Sequence, residues 1–424
     1  MSPTRIAHVH GRRIWDSRGR PTVEAEVRLR GGAVGRAIAP AGASTGSGEA
    51  VDLRDGGKRV GGNDVSRAVA HVSGEVAAAI KGLDAADQAG IDARLIERDG
   101  TTNKGRLGGN ALIATSMAVA HAAAAAAGLP LWKHLGGAGP LPLPEIQIFG
   151  GGAHAGRRVD LQDFMVIAIG ATEFAQALDW TAEVYLAAGK LMAEAGKLAG
   201  VADEGGWWPV FDSNEEAVET LVRAIEKAGF TPGAEIGIAL DIAASNFGRG
   251  GRYKLAKDGR EFDSDGLSEM LLGWLRRYPI VSIEDPLAED DPEALARFTK
   301  AAGPKVQVVG DDFVVTNAGR IAEAAKIGAC NTALIKPNQA GTLTETLAAL
   351  GEARRVGYGA IVSARSGETE DVTIVHLAVG WGAPQLKVGS FTRSERMAKW
   401  NEGLRLAEAI GGRLLPASAF AWGR

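Results

Sequence analysis

The second part of the chain alternates short apolar runs with segments of helical pattern, and this alternation restricts the fold more than any other feature. The apolar runs are of strand length and cover residues 236–241, 280–285, 306–312, 332–337, 359–365 and 385–390. Strands that alternate with helices along a chain form βα units around a parallel sheet. Six units in succession fit a barrel, so we predict a βα barrel in this region.

A charged or polar side chain follows the apolar residues of each run. These side chains are Asp241, Glu284, Asp311, Lys336, Arg365 with Ser366, and Lys387. Since the carboxyl ends of barrel strands face one mouth, where active sites are built, we expect the side chains to converge there. Three carboxylates on consecutive strands form an oxygen site suited to Mg²⁺, and the adjoining cations would bind an anion and supply a base. Any one of them alone would be interpreted as a solvated residue, so the prediction depends on the whole series.

The earlier part of the chain has a different pattern. Residues 5–14 and 22–30 alternate apolar and polar positions, as strands do, and Ala-rich stretches with helical spacing follow them. The Gly- and Pro-rich stretch 136–144 interrupts all periodicity and is the predicted domain boundary. We therefore predict two domains, a small one over residues 1–138 and a large one over residues 139–424.

The charge balance argues against a protein that binds nucleic acid. The 424 residues include 47 Lys+Arg and 51 Asp+Glu, which gives a formal net charge of −4. The single cysteine, Cys330, is unable to form an intrachain disulfide, and we expect it to be a small buried apolar residue. The N-terminus carries charge without a following apolar run, so no secretory signal is visible and we expect a cytoplasmic protein.

One segment is long enough to span a membrane. Residues 111–132 carry no Asp, Glu, Lys or Arg. The apolar content of this segment is mainly alanine, and Thr115, Ser116 and His121 interrupt it, so its transfer to lipid would gain little. We predict a buried, closely packed helix and no association with membranes.

Nine short motifs, in order and with matching gaps, resemble those of the enolase family. They are DSRGRPT (16–22), GASTG (42–46), HA (154–155), QDFM (162–165), DEGG (203–206), SIED (282–285), GDD (310–312), LIKPNQ (334–339) and SARSGETED (363–371). The resemblance implies an α/β fold in which a small α+β N-terminal capping domain precedes a modified (β/α)8 TIM-type barrel. It also implies a homodimer or a larger homo-oligomer of dimers. The implied activity is that of a Mg²⁺-dependent lyase of glycolysis, which dehydrates 2-phosphoglycerate to phosphoenolpyruvate.

The same resemblance implies the metal ligands. Asp241, Glu284 and Asp311 match the ligands of one Mg²⁺. Ser44, in the Gly-rich loop, matches a ligand that joins a second Mg²⁺ when this loop closes as a lid, so two Mg²⁺ are expected per active site. Metal ions bound to the substrate carboxylate would stabilise the dianionic enolate that forms when the neighbouring carbon loses its proton. Without the resemblance, Ser44 would be interpreted as a turn residue.

The resemblance also implies the residues of the chemical step. Lys336 matches the base that removes this proton, and we expect nearby cations to lower its pKa toward neutral pH. Glu204 matches the general acid that protonates the leaving hydroxyl, and Asp163 matches a second catalytic carboxylate.

Four further residues match positions that bind the substrate. Lys387 matches a residue that binds the substrate carboxylate. Arg365 and Ser366 match a phosphate clamp, for which a guanidinium fork is well shaped. His154 matches a mobile-loop residue that contacts the substrate, although a single histidine beside a run of glycines is equally compatible with a structural role.

Several positions depart from the family pattern, and they surround the leaving group. Ala364 stands where the family has a histidine, and Asp163 stands where it has a glutamate, which withdraws the carboxylate by one methylene. Further replacements are Gly150 for an asparagine, Ala153 for a polar residue, Ala202 for a glycine, and Trp207 with Trp208 after the general acid. Because a displacement of about 1 Å at a reacting centre can cost about a hundredfold in rate, these changes bear on the substrate.

Three hypotheses therefore remain open from the sequence. The first is dehydration of 2-phosphoglycerate. The second is a paralogue that acts on a related phosphorylated or phosphonylated acid, for example in the synthesis of carboxyphosphoenolpyruvate in a phosphonate pathway. The third is a non-catalytic binding protein that keeps the fold. Retention of the carboxylates and both lysines favours the two enzymatic hypotheses over the third.

Overall fold

The computed structural model describes residues 2–423. The N-terminal part contains an antiparallel sheet of β1 (Ile6–Trp15), β2 (Pro21–Leu29) and β3 (Val34–Ile38). A tight turn joins β1 to β2 because the Asp16 carboxylate accepts the N–H groups of Arg18 and Arg20, at 2.8 and 2.9 Å. The two strands predicted for this region are present, within one residue of their predicted bounds.

Among the described residues, five α-helices belong to this part of the chain. They are α1 (Ser66–His71), α2 (Ala77–Ile80), α3 (Gln88–Asp99), α4 (Gly109–Ala126) and α5 (Leu131–His134). Helix α4 is long and apolar enough to cross a membrane, but 83% of it is buried inside the protein, as predicted for this segment. A Cβ atom added to Gly35 of β3 would lie 2.1 Å from the carbonyl oxygen of Ala118 in α4. Gly35 therefore allows the backbone of α4 to contact the strand directly.

Eight strands form a closed barrel. They are β4 (Leu143–Gly150), β5 (Asp163–Ile167), β6 (Gly237–Asp241), β10 (Ile280–Glu284), β11 (Gln307–Gly310), β12 (Thr332–Ile335), β13 (Gly359–Ser363) and β14 (Gln385–Ser390). Between β6 and β10 lies a small separate sheet of β7 (Gly248–Arg249), β8 (Arg252–Leu255) and β9 (Arg260–Asp263). The barrel order is β4-β5-β6-β10-β11-β12-β13-β14, and β14 closes onto β4. The six predicted strands are β6 and β10 to β14, which confirms the predicted fold class.

The barrel departs from a purely parallel arrangement at one strand. Strand β5 pairs antiparallel with both β4 and β6, whereas the other barrel neighbours are parallel. Asp163, the first residue of β5, is paired in register with Asp241, the last residue of β6. Because β5 runs in the opposite direction, its first residue reaches the mouth where the other strands end.

Helices surround the barrel and connect its strands. They are α6 (Phe174–Glu194), α7 (Asn214–Lys227), α8 (Ser264–Arg277), α9 (Pro292–Ala302), α10 (Ala318–Ile327), α11 (Pro337–Ala340), α12 (Leu343–Arg355), α13 (Thr373–Gly380) and α14 (Ser394–Ile410). The side chains of Ser213, Asp263, Asn317 and Thr342 cap four of these helices by accepting a backbone N–H of the first turn. These caps fix where each helix begins after the loop that precedes it.

The N-terminal part places a loop over the barrel mouth. We call residues 40–50, which include the predicted Gly-rich motif, the lid loop. Ala41 and Gly367 exchange two backbone hydrogen bonds of 2.9 and 2.8 Å, which join the lid loop to the segment after β13. The hydroxyl of Ser47 donates to the Glu289 carboxylate at 3.0 Å, which fixes the other end of the loop to the barrel.

Candidate active site

The predicted site residues converge between the barrel mouth and the lid loop. The cavity there has a free volume of about 30 Å³, and its lining includes Ser44, His154, Asp163, Glu204, Asp241, Asp311, Lys336, Arg365, Ser366 and Lys387. Glu284, the last predicted residue, lies directly against Lys387. Side chains that are far apart in the sequence therefore share one buried site, because the barrel strands deliver them to the same end.

The first side of the site, which we call the strand side, consists of Asp241, Glu284, Asp311, Lys336 and Lys387. The Lys387 ammonium donates to Glu284 at 2.8 Å and to Asp241 at 3.1 Å, and the Lys336 ammonium donates to Asp311. All five side chains are buried. Each cation is therefore held by carboxylates from other strands of the barrel.

These pairings determine the charge of the lysines. Burial opposes both ammonium ions, but Asp311 and Glu284 together outweigh it and raise the pKa of Lys336. In the same way, Asp241 and Glu284 raise the pKa of Lys387 well above its usual value. The direction for Lys336 is opposite to the lowered pKa expected from the sequence, because a carboxylate faces this ammonium directly.

The carboxylates of the strand side have the chemistry of a site for a hard cation. Burial and the charge of Asp241 raise the pKa of Glu284 well above its usual value. Oxygen Oε1 of Glu284 is buried and has no hydrogen-bond partner among the described residues. A buried carboxylate oxygen without a partner is unfavourable unless a ligand reaches it, so the predicted set of Asp241, Glu284 and Asp311 fits a divalent cation.

The tightest acidic cluster at the mouth differs from the predicted set. It consists of Asp285, Asp311 and Asp312, whose oxygens lie within 4.8 Å of one another. The Asp285 carboxylate accepts the backbone N–H groups of Asp311 and Asp312, at 2.9 and 2.8 Å, which holds the cluster together. The two sets share Asp311, so the acidic residues of this region offer more than one arrangement of oxygen ligands.

The lid loop contacts Arg365, one of the predicted phosphate-binding residues. The Arg365 guanidinium donates to both carboxylate oxygens of Glu49, at 2.8 and 3.2 Å, and to the Ser44 carbonyl oxygen at 2.8 Å. The Ser44 hydroxyl donates to the Asn246 side chain at 3.2 Å and so does not contact the carboxylates of the strand side. Glu49 was not predicted, although it lies three residues after the Gly-rich motif.

The opposite side, which we call the loop side, consists of Asp163, His154 and Glu204. The His154 ring places Nδ1 3.1 Å from Asp163 Oδ1 and Nε2 3.7 Å from Glu204 Oε1. Burial opposes the imidazolium, but Glu204 and Asp163 outweigh it and raise the pKa of His154 to about 9. Burial of the Asp163 carboxylate raises its pKa, but the charge and hydrogen bond of His154 help to lower it below the usual value. These three residues also lie close enough to hold a metal, but the hydrogen bond of the imidazole to Asp163 and its ion pair with Glu204 already account for their arrangement.

The departures from the family pattern have clear places in the structure. Ala364 lines the cavity, and its methyl group offers no hydrogen bond at the position where the family has an imidazole. A Cβ atom added to Gly150 would lie 2.7 Å from the Cβ atom of Ala202, so these two replacements are in contact. The Trp207 ring stacks on Tyr185 at 4.7 Å and donates to its carbonyl oxygen at 2.9 Å, which gives Trp207 a structural role.

Strand β4 carries two polar residues that the sequence analysis missed. Glu145 is buried beside Lys387 in the strand pairing, and burial raises its pKa to about 7. Gln147 is fully buried and donates to Asp163. Both were missed because they closely follow the Gly- and Pro-rich stretch that indicated a boundary. Their signal was the presence of polar residues at alternate positions of an otherwise apolar segment.

The fold and the site together define a closed βα barrel whose mouth carries acidic clusters able to hold a metal ion. Residues 6–135 match the family model of the enolase N-terminal domain, and residues 139–418 match that of the enolase C-terminal TIM barrel domain. The chain therefore belongs to the enolase family, as its motifs indicated.

Proposed function

We propose that this protein is a Mg²⁺-dependent lyase that dehydrates 2-phosphoglycerate to phosphoenolpyruvate. The observation that supports this proposal is the convergence of a lysine, Lys336, and a carboxylic acid, Glu204, in one buried cavity with four further carboxylates and the side chains of Arg365 and Lys387. A base and an acid in the same cavity are what a β-elimination requires, because one group takes the carbon-bound proton and the other protonates the leaving hydroxyl.

The residues have separate tasks in this reaction. Asp241, Glu284 and Asp311 would hold Mg²⁺, which when bound supplies a positive charge to stabilise the enolate. Lys336 Nζ first loses its proton to solvent, because its raised pKa keeps it an ammonium beside Asp311, and it then accepts the proton from the carbon next to the substrate carboxylate. Lys387 attracts that carboxylate.

Arg365 and Ser366 hold the phosphate, and the guanidinium leaves Glu49 to do so. Glu204, once it has taken up a proton, donates it to the hydroxyl, which leaves as water. The lid loop covers the cavity and excludes bulk water during these transfers.

The proposal is tested by following the ultraviolet absorbance of the enol product with purified protein, 2-phosphoglycerate and Mg²⁺. We expect turnover within about tenfold of the typical enzyme median of roughly 10 per second. Lys336→Ala should abolish it. Lys326→Ala, which removes an exposed lysine from the outer helix α10, should have no effect. Substrate binding without turnover in the wild type would overturn the proposed reaction.

A second candidate function has a specific observation in its favour. Ala364 leaves a wall of the cavity without the family's imidazole, which makes space and removes a hydrogen-bond donor. This arrangement favours a paralogue that acts on a related phosphorylated or phosphonylated acid. Turnover of a phosphonate analogue at least tenfold faster than that of 2-phosphoglycerate would establish this candidate in place of the first. If the protein neither binds nor turns over any such acid, the non-catalytic hypothesis would be favoured.

A further inference from the structure

The carboxylate of Asp163 and the loop that carries Glu204 share one neighbour, Gln147. Its amide nitrogen Nε2 donates to Asp163 Oδ1, and its amide oxygen Oε1 accepts the backbone N–H of Gly206 at 2.9 Å. Gly206 lies two residues after Glu204. Gln147 is fully buried behind the cavity wall, so it acts on the site through these two bonds.

The chemistry of the partners fixes the orientation of the Gln147 amide. A backbone N–H is only a donor, so the group that faces Gly206 must be the oxygen of the amide. The NH₂ group must therefore face Asp163, whose ionised carboxylate is only an acceptor. A flipped amide would place two donors together on one side and two acceptors together on the other.

The backbone around Gln147 leaves room for this arrangement. A Cβ atom added to Gly206 would lie 2.4 Å from Gln147 Oε1, and one added to Gly150 would lie 3.2 Å from it. Two glycines therefore permit the amide to reach the loop. One of them, Gly150, is a departure from the family pattern, which gives that replacement a function in packing.

Hydrogen bonds and one ion pair form a ring of contacts on the loop side. Asp163 Oδ1 faces both Gln147 Nε2 and His154 Nδ1, and the other nitrogen of His154 faces Glu204. The chain from Glu204 to Gly206 returns to Gln147. Because His154 Nδ1 is held by Asp163, His154 Nε2 is directed at Glu204, so the position of Asp163 decides where the imidazole points.

We propose that Gln147 is a positioning residue, which holds the shortened Asp163 side chain against His154 and thereby directs the imidazole toward Glu204. The inference rests on the proposed function, in which Glu204 protonates the leaving hydroxyl. It predicts that Gln147 affects loss of the hydroxyl and does not affect removal of the carbon-bound proton, because Lys336 belongs to the strand side.

The kinetic test compares Gln147→Leu with the wild type under two readouts. We expect kcat for elimination to fall by about 10- to 100-fold with KM changed less than about threefold, since a displacement near 1 Å has that effect. Exchange of the proton on carbon 2 of 2-phosphoglycerate with solvent deuterium, followed by NMR, should remain near the wild-type rate. Equal losses of exchange and elimination would overturn the inference.

A matched control separates positioning from the loss of a buried amide. Gln307 is also a buried barrel glutamine, and it donates to Gln385 at 2.6 Å near the amino ends of β11 and β14, away from the mouth. Gln307→Leu should lower the melting temperature about as much as Gln147→Leu while leaving kcat unchanged. A similar loss of kcat in both variants would contradict the inference.

A second variant tests the donor of Gln147 by itself. Gln147→Glu keeps an oxygen acceptor for Gly206 but can donate to Asp163 only when it is protonated. The ratio of its kcat to that of the wild type should therefore rise as the pH is lowered from about 8 to about 6. A ratio independent of pH would show that the bond to Asp163 is not what matters.

A measurement without substrate keeps the inference separate from the proposed function. In the wild type, ¹⁵N NMR of labelled histidines should place the His154 titration near pH 9. The charged groups that face it are Asp163, Glu204 and, at greater distance, Asp241. In Gln147→Leu the midpoint should fall by at least about one unit toward the ordinary histidine value. An unchanged midpoint would overturn the inference, even if the wild type proves inactive on 2-phosphoglycerate.

Discussion

The strand side and the loop side of the site hold their charges in different ways. On the strand side, two lysines are paired with carboxylates that come from other strands of the barrel. On the loop side, Asp163 and Glu204 are arranged around one imidazole and one neutral amide. The strand side therefore depends on ion pairs fixed by the barrel, whereas the loop side combines hydrogen bonds from a neutral amide with ion pairs to His154. The Lys387 ammonium, 3.6 Å from Asp163 Oδ2, links the two sides.

This difference separates the two half-reactions of the proposed elimination. Removal of the carbon-bound proton belongs to the strand side, and departure of the hydroxyl belongs to the loop side. Variants on the two sides should therefore differ in which half-reaction they retain. The following experiments test this separation.

The largest effect is expected from Lys336→Ala. Removal of the base should lower both elimination and exchange of the carbon-2 proton by about 10³-fold, because neither proceeds without proton removal. Ultraviolet absorbance measures the first, and NMR in deuterated solvent measures the second. Exchange that persists in this variant would place the base elsewhere and would break the comparison.

Glu204→Gln should separate the half-reactions in the opposite way. The amide keeps the size of the side chain but has no acidic proton for the leaving hydroxyl, so elimination should fall by about 10²- to 10³-fold. Proton exchange should stay within a few-fold of the wild type. The same two assays apply, and a parallel loss of exchange would show that Glu204 also serves the strand side.

The loop side should also affect stability as the pH changes. The pKa of His154 is raised to about 9 in the folded protein from the ordinary value of about 6.5, so its stabilising effect is complete below about pH 6.5. The effect is lost as the pH rises through 9, and it amounts to at most roughly 3 kcal/mol. Urea unfolding of His154→Gln should show a smaller fall in stability across this range than the wild type.

A control for this titration is available on the surface. His8 is exposed on β1, and His8→Gln should retain the wild-type dependence of stability on pH. If His154→Gln and the wild type lose equal stability between about pH 6.5 and pH 9, the imidazole does not hold the loop side together.

Two glycines offer a matched pair of smaller effects. A Cβ atom on Gly42 would lie 2.0 Å from the Arg365 guanidinium, and one on Gly206 would lie 2.4 Å from the Gln147 amide oxygen. Gly42→Ala should therefore raise KM about tenfold by displacing the phosphate clamp, whereas Gly206→Ala should lower kcat about tenfold. Steady-state kinetics on both variants would decide this, and identical changes in the two would remove the distinction between the sides.

The two sides also differ in how well they could be predicted from the sequence. The strand side followed from the spacing of apolar runs, because a parallel barrel brings all its strand ends to one mouth whatever the loops do. The pairing of Lys387 with Asp241 and Glu284 was not predicted, since it depends on the side-chain conformations adopted inside the barrel. The loop side could be predicted only from its motifs. Its positioning residue, Gln147, was missed because it closely follows the Gly- and Pro-rich stretch. In addition, the antiparallel β5 and two loops bring its partners together from separate parts of the sequence.

The smallest effect is expected where the family's histidine is missing. Ala364 lines the cavity, and His154 already faces Glu204 from the other side, so Ala364→His should change kcat/KM for 2-phosphoglycerate by less than about fivefold if the loop side has compensated for the loss. Ala364→Leu fills similar space without hydrogen bonding, and it should lower kcat/KM through steric crowding alone. A gain of tenfold or more in Ala364→His, absent in Ala364→Leu, would show that the imidazole is a missing catalytic element. The loop side would then be adapted to another acid, and the paralogue hypothesis would replace the dehydration of 2-phosphoglycerate.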